Sequence, residues 1–216
     1  MLFMLYSLSC ATAPPPGRQL APRSGRAALP PETVQVQGKL VEGGRYVLGR
    51  KELVVRGRRF NMDCTGTVLA IYFYAGIDLA RDFDKYTGNG VTRLYRSLES
   101  EQLIYRALLP VPGDIIFWDN TYDRNEDGRW NDTLTHVGMV MEAHDDGTIA
   151  YVHLNYHKGI IIEYMNLRDP RVHQKMVRGE IKVVNSPMRL DQKGKPHPEK
   201  WLSAQLYHSF GMGYLF

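Results

Sequence analysis

Cys64 and His136 are the side chains of this chain whose surroundings suit nucleophilic chemistry. Cys64 stands between Asp63 and the run Thr65-Gly66-Thr67-Val68-Leu69-Ala70-Ile71-Tyr72-Phe73-Tyr74-Ala75, which Gly76 closes. Asp63 reads as a helix N-cap, the apolar run as a buried helix, and Gly76 as its stop. The thiol then lies in the first helical turn, where free N–H groups and the positive dipole end favour an anion. Such a position, beside an imidazolium, can lower a thiol from about 8.5 into the range of about 3.5–7.5. His136 opens Thr135-His136-Val137-Gly138-Met139-Val140, a strand pattern, and is the base that would take the thiol proton. Without such a partner a lone Cys is more simply a small buried hydrophobe, and a strand-end His a solvent-facing side chain.

Amide hydrolysis by this pair also needs a polar group that holds the imidazole in one tautomer. It further needs backbone N–H groups, that of Cys64 among them, to stabilise an oxyanion. His153, Asn155 and His157 are the candidates for the orienting group. If Asp146-Gly147 is a two-residue hairpin turn, Asp145 pairs with Thr148, and His136 then faces His157. His153 and Asn155 share that face, so parity admits all three while strict register favours His157. A bulge or a longer loop around residues 142–147 would bring His153 back.

These segments also carry a family resemblance. Asp63-Cys64-Thr65-Gly66 resembles the DCSG-type nucleophile motif of the NlpC family of cell-wall cysteine peptidases. Pro112-Gly113-Asp114-Ile115-Ile116-Phe117-Trp118 resembles the PGDLVFF-like strand of that family, and His136-Val137-Gly138-Met139-Val140 its HVGIY-like strand. Gly147-Thr148-Ile149-Ala150-Tyr151-Val152-His153-Leu154-Asn155 is similar to the GTI-x-V-x-E-x-N pattern of the related CHAP amidases. His153 stands there where CHAP has Glu and NlpC has His. The resemblance covers roughly residues 40–185. It implies an α+β, papain-like cysteine hydrolase core, with the nucleophile at a helix N-terminus packed on an antiparallel sheet. It also implies Cys64 as nucleophile, His136 as base and His153 as third residue, with Asn155 as the CHAP-like alternative. The activity implied is cleavage of amide bonds in peptidoglycan stem or cross-bridge peptides, with no cofactor required. A catalytically idle domain of the same fold, binding cell wall or a protein partner, is the alternative.

Between Trp118 and His136 lies an Asp- and Asn-rich insertion, residues 119–132. Asp123, Asn125, Asp127 and Gly128 fill positions 1, 3, 5 and 6 of a calcium loop, and Asn131 fills position 9. Position 12 is Leu134 instead of the bidentate Glu, although Asp132 could reach in. A structural calcium is therefore a candidate, against an ordinary turn bordering the site. A zinc site from Cys64, His136, His153 and His157 ranks below catalysis, since the triad and its neighbours already account for those side chains.

The elements that must position these groups read as helices first, then short antiparallel strands. A helix is expected around Tyr46-Val47-Leu48, ending at Gly49, followed by a short extended piece. Residues 91–107 carry a helical period with a break, which Pro110 and Pro112 end. Strands are expected over 115–118, 137–141, 149–154, 160–164 and 177–184, and a short amphipathic helix over 201–210. The organisation expected is a signal or lipoprotein segment at 1–10, a Pro-rich tether at 11–35, a catalytic domain at 36–185 and a C-terminal extension at 186–216. At 216 residues and 44% hydrophobic, the chain is long enough for one domain with a sizeable core.

The net charge of +4 and pI of about 9.0 suit an anionic polymer such as cell wall. No basic run with interleaved aromatics suggests nucleic acid, and most Lys and Arg are scattered as on a solvated surface. The apolar residues 1–9 are too few to span a bilayer and run into Cys10. Ser7-Leu8-Ser9 before Cys10 looks like a degenerate lipoprotein cleavage box, so lipidation of Cys10 is expected, with a plain cleaved signal as the alternative. No other segment is apolar and long enough for a membrane helix. Cys10 and Cys64 are the two cysteines; with Cys10 lipidated, Cys64 is a lone thiol in an exported protein. A monomer in the cell envelope, anchored by lipid or else secreted, is the expected state.

Overall fold

The computed structural model describes residues 30–189 and 198–216. Cys10, the leading apolar segment and most of the Pro-rich stretch lie outside the described residues. The described chain is α+β, with three α-helices and antiparallel strands. No helix among the described residues is long and apolar enough to cross a membrane.

Helix α1 spans Pro31–Val47. Proline suits its first position because the missing N–H would be unpaired there anyway. This helix starts earlier than expected and takes residues 31–35 from the tether. Its Gly43 lies so close to the next helix that an added Cβ would meet the Ile71 carbonyl oxygen at 2.9 Å. A two-stranded hairpin, β1 (Leu53–Val55) with β2 (Arg58–Phe60), leads into helix α2, Cys64–Tyr74.

The start and stop of α2 are those its residues imply. Asp63 is extended, at φ −139 and ψ 177, and its Oδ1 accepts from the Gly66 N–H at 2.6 Å. Such a cap stabilises a helix by about 1 kcal/mol. At the other end Ile77 N–H reaches Tyr72 O (2.9 Å) and Gly76 N–H reaches Phe73 O (3.0 Å), with Gly76 at φ +92. That is a Schellman stop, and the left-handed residue is the glycine. Between these ends Val68, Ala70, Ile71 and Tyr72 are wholly buried.

Helix α3 (Gly90–Ser100) ends where the helical period breaks, and the residues beyond form β3, Ile104–Tyr105. The principal sheet then takes β4 (Ile115–Trp118), β5 (His136–Ala143), β6 (Ile149–Asn155) and β7 (Gly159–Met165). A separate hairpin, β8 (Gln174–Val177) with β9 (Glu180–Val183), replaces the single strand expected over 177–184. The last strand, β10, spans Tyr207–Gly211. The order across the six-stranded sheet is β3-β10-β4-β5-β6-β7, every neighbour antiparallel.

The C-terminal segment thus corrects two expectations. Tyr207–Gly211 is a strand, not part of an amphipathic helix, and it lies inside the sheet between β3 and β4. The boundary expected at 185 falls within one folded unit. Tyr207 and Phe210, three apart, share one face because the register shifts between Tyr207 and Ser209, and Phe210 is fully buried against Ile116, its partner across the ladder.

The sheet divides the core in two. Val137, Met139, Phe117 and Ile115 face α1 and α2, whereas Ile116, Trp118, Val140 and Tyr151 face a second cluster. The chain around 202–206 closes that second face: Ala204 and Leu206 pack there, and the Trp118 indole N–H donates to Ser203 O at 2.9 Å.

Candidate active site

Cys64 sits at the start of α2, half-buried, where the helix meets the first residues of β5. The Gly66 of its motif has a steric reason, since a Cβ there would run into the backbone of Asn61. The expectation of a strongly acidic thiol is corrected. Burial pushes the Cys64 thiol up, and the neighbouring Asp63 carboxylate adds to it; the Val137 backbone and Thr65 pull it down by less. The helix start is present, but desolvation and a like charge next door outweigh it.

The β5–β6 hairpin decides which residue meets His136. Its loop closes on His144 and Thr148, with Gly147 at φ +90, so it is one residue longer than the two-residue turn. A bulge between Val140 and Glu142 then shifts the register once more, and the inner pairing is Val140 with Tyr151 and Met139 with Val152. Either shift alone would turn His153 to the opposite face; together they return it to the face of His136. Continued inward, this register puts Asn155 across from His136 and His153 diagonally beside it.

His136 Nε2 lies 2.8 Å from His153 Nδ1, and His153 Nε2 lies 3.1 Å from Glu163 Oε2. The other Glu163 oxygen accepts from Lys158 Nζ at 3.2 Å. His153 and Glu163 are almost wholly buried. Gly138 makes room for the pair, because a Cβ there would stand 2.9 Å from Val152 O and 3.2 Å from His153 Cβ.

Asn155 and His157 are placed otherwise. Asn155 Oδ1 accepts from the His157 and Lys158 backbone N–H groups, at 3.0 and 3.1 Å, and so ties the β6–β7 turn. The His157 ring stands against Tyr156, which is 90% exposed.

This row has a direction. Burial tends to raise the Glu163 carboxyl, but hydrogen bonds and charge from His153 and Lys158 outweigh it and leave it below its ordinary value. An ionised carboxylate only accepts, so His153 Nε2 carries the proton. In the tautomer that turns His153 Nε2–H to Glu163, His153 Nδ1 accepts from His136 Nε2–H, which leaves the free lone pair of His136 on Nδ1. Burial, with His153 adding to it, holds the His136 imidazole well below its usual range, so it stands neutral as a base. The thiol makes no hydrogen bond to His136 among the described residues, and both groups line one cavity of about 680 Å³.

Glu163 and Lys158 were missed in the sequence. The available signal was a lone carboxylate inside the apolar run Ile160-Ile161-Ile162-Glu163-Tyr164, since a strand charge facing inward implies a buried partner.

The insertion borders the same cavity through Thr121, Tyr122 and Trp130. Its candidate calcium ligands engage the loop's own groups. Asp123 Oδ2 accepts from Gly128 N–H at 2.9 Å, Asn125 Oδ1 from Asp127 N–H at 3.2 Å, and Asp127 Oδ1 from Arg129 N–H at 2.8 Å. Asn131 is exposed, and Asp132 turns inward to accept from the Arg124 N–H at 2.9 Å. Among the described residues no three His, Cys, Asp or Glu side chains converge as a metal site, zinc at Cys64, His136, His153 and His157 included.

No family model, no curated protein and no solved structure matches this chain.

Proposed function

We propose that this protein is a cysteine hydrolase of papain-like architecture that cleaves amide bonds in peptidoglycan stem or cross-bridge peptides. The observation that carries the reading is the directed row Glu163–His153–His136, which leaves one basic nitrogen in the cavity that also holds a helix-start thiol. A row of this kind stabilises nothing that a simpler apolar core would not, and buried polar chains are costly unless they do something.

The chemistry follows from the free atoms. His136 Nδ1 takes the Cys64 proton as Sγ attacks the carbonyl carbon of the scissile amide. The carbonyl oxygen becomes an oxyanion, which the Cys64 N–H at the helix start stabilises, by about 2.7–4 kcal/mol if it acts as oxyanion-hole donors usually do. The C–N bond then breaks, and His136 returns the proton to the leaving amine. Water attacks the thioester with His136 Nδ1 as base, releasing the acid and restoring the thiol. His153 and Glu163 hold the tautomer and offset the positive charge on His136 in between.

The mild positive charge suits an anionic wall, and the segment ending in Cys10 suits a lipid anchor at the cell envelope. Expressed with its own N-terminus in a bacterium, the chain should partition into detergent, and Cys10→Ala should abolish this. Digestion of purified sacculi, read by mass spectrometry, tests the activity: new amine and carboxyl ends should appear with the native chain and not with Cys64→Ser. A second reading, an idle domain of this fold that binds wall or a partner, is favoured by the raised thiol and its lack of a hydrogen bond to His136. Sacculi bound but uncut by the native chain would establish it.

A further inference from the structure

Arg189 is the buried Lys or Arg among the described residues, and the mechanism above does not use it. It lies at the wall of the Cys64–His136 cavity and is 5% exposed. Its Nε donates to Asn120 O at 3.0 Å and its Nη1 to Lys200 O at 3.2 Å. The guanidinium carbon lies 2.9 Å from the centroid of the Trp130 ring. Nη2 is buried and has no hydrogen-bond partner among the described residues. The partners that Arg189 does have are carbonyls and an aromatic ring; no carboxylate of the described residues pairs with it.

A buried cation with no carboxylate beside it among the described residues is unusual. Burying a guanidinium without an anion costs several kcal/mol, and proteins ordinarily match it with Asp or Glu. The cost registers in its acidity, since burial brings Arg189 down to about 10. Two carbonyl bonds and a stacked indole fix the plane of the group, so the N–H groups of Nη2 are held in place before any ligand arrives. The cavity wall around it is largely apolar, from Met62, Trp130, Leu154, Pro187 and Met188, and its one acidic side chain, Asp63, is committed to capping α2.

We propose that Arg189 is the recognition site for a carboxylate on the substrate, so that the enzyme takes peptides with a free carboxylate beside the scissile amide and apolar atoms against the wall. The planar guanidinium matches a carboxylate, and pairing one that is already desolvated gains more than pairing at the surface. Trp130 covers the group, so the insertion that carries it belongs to the specificity apparatus. This assignment rests on the hydrolase reading for its substrate, but the binding step can be measured without catalysis.

The experiment uses the full chain carrying Cys64→Ala and soluble muropeptide stems in two forms, with free carboxylates and with those carboxylates converted to methylamides. Calorimetry should show the free acid binding at least about tenfold more tightly, the scale of one charge-assisted hydrogen bond. Arg189→Met should remove that difference, and Arg189→Lys should restore part of it. In the catalytic chain the same pair should differ chiefly in KM. Equal affinity of the Cys64→Ala chain for acid and methylamide overturns the proposal, and this result needs no Arg189 variant to fold. Arg189→Met that weakens both forms equally also overturns it, leaving Arg189 as a pin between Asn120 and Lys200. Cleavage that survives Cys64→Ser overturns the hydrolase reading instead and leaves the binding comparison standing.

Discussion

The residue proposed as the nucleophile is also the one whose environment works against it. Asp63 caps α2 and, by its charge, holds the Cys64 thiol up along with burial. Alkylation of the free protein by iodoacetamide should therefore be slow at neutral pH and rise only above the ordinary thiol value of about 8.5. A rate already at its plateau at pH 6 would show an ionised thiol and sink this description. Asp63→Asn keeps the cap and removes the charge, so its alkylation profile should move to lower pH with the melting temperature nearly unchanged.

His136 and Cys64 give stability a pH dependence of known sign. His136 binds its proton more weakly folded than unfolded, so stability falls as pH drops below the unfolded value of about 6.5. Cys64 loses its proton less readily folded than unfolded, so stability falls again as pH rises past about 8.5. The melting temperature should be highest between these limits, and His136→Gln should flatten the acid side. For turnover, His136→Ala should cost about 10²–10⁴-fold. Glu163→Gln, which can still accept from His153, should cost less, on the order of tenfold, while Glu163→Leu should cost more because it orphans a buried N–H. Equal activity of Glu163→Leu and the native chain would mean the row does not orient His136.

At the scale of the element, two glycines let a helix and a strand approach the groups they carry. Gly66→Ala drives a methyl into the Asn61 backbone, so the first turn of α2 must move and take the thiol with it. Gly138→Ala presses on Val152 O and His153 Cβ, at 2.9 and 3.2 Å, and so on the second imidazole. Each should lower kcat by more than its loss of stability, about 1–3 kcal/mol for overpacking, would suggest. A variant that lost stability but kept full turnover would show that these contacts hold the fold alone. Gly49→Ala is the control: its φ of +68 is strained for alanine, yet an added Cβ there meets nothing within 4 Å, so it should cost stability and spare turnover.

At the scale of the molecule, β10 makes the C-terminus part of the sheet. Ending the chain at 197 would remove the strand between β3 and β4, leave β4 an edge, and uncover Trp118, Ile116 and Tyr151. The truncated chain should not fold cooperatively, whereas an appendage would be dispensable. A sharp thermal transition retained after the truncation, followed by circular dichroism, would contradict the observed strand order.

What the sequence determined by itself was local. Asp63, the apolar run and Gly76 specify α2 because capping, burial period and a left-handed stop are properties of neighbours in the chain. The strands around Ile115, His136, Ile149 and Ile160 were legible for the same reason, as was the α+β class. The register was not. Which of His153, Asn155 and His157 meets His136 depends on two one-residue shifts, in the loop before Thr148 and at the bulge past Val140, and each reverses the outcome of the other. Nor could Glu163, Lys158 and Arg189 be joined to the site, since they reach it from β7, its preceding turn and the segment after β9. The acidity of Cys64 was likewise decided by tertiary structure: a helix start favours the thiolate locally, but desolvation is set by everything packed around it, and here desolvation is larger.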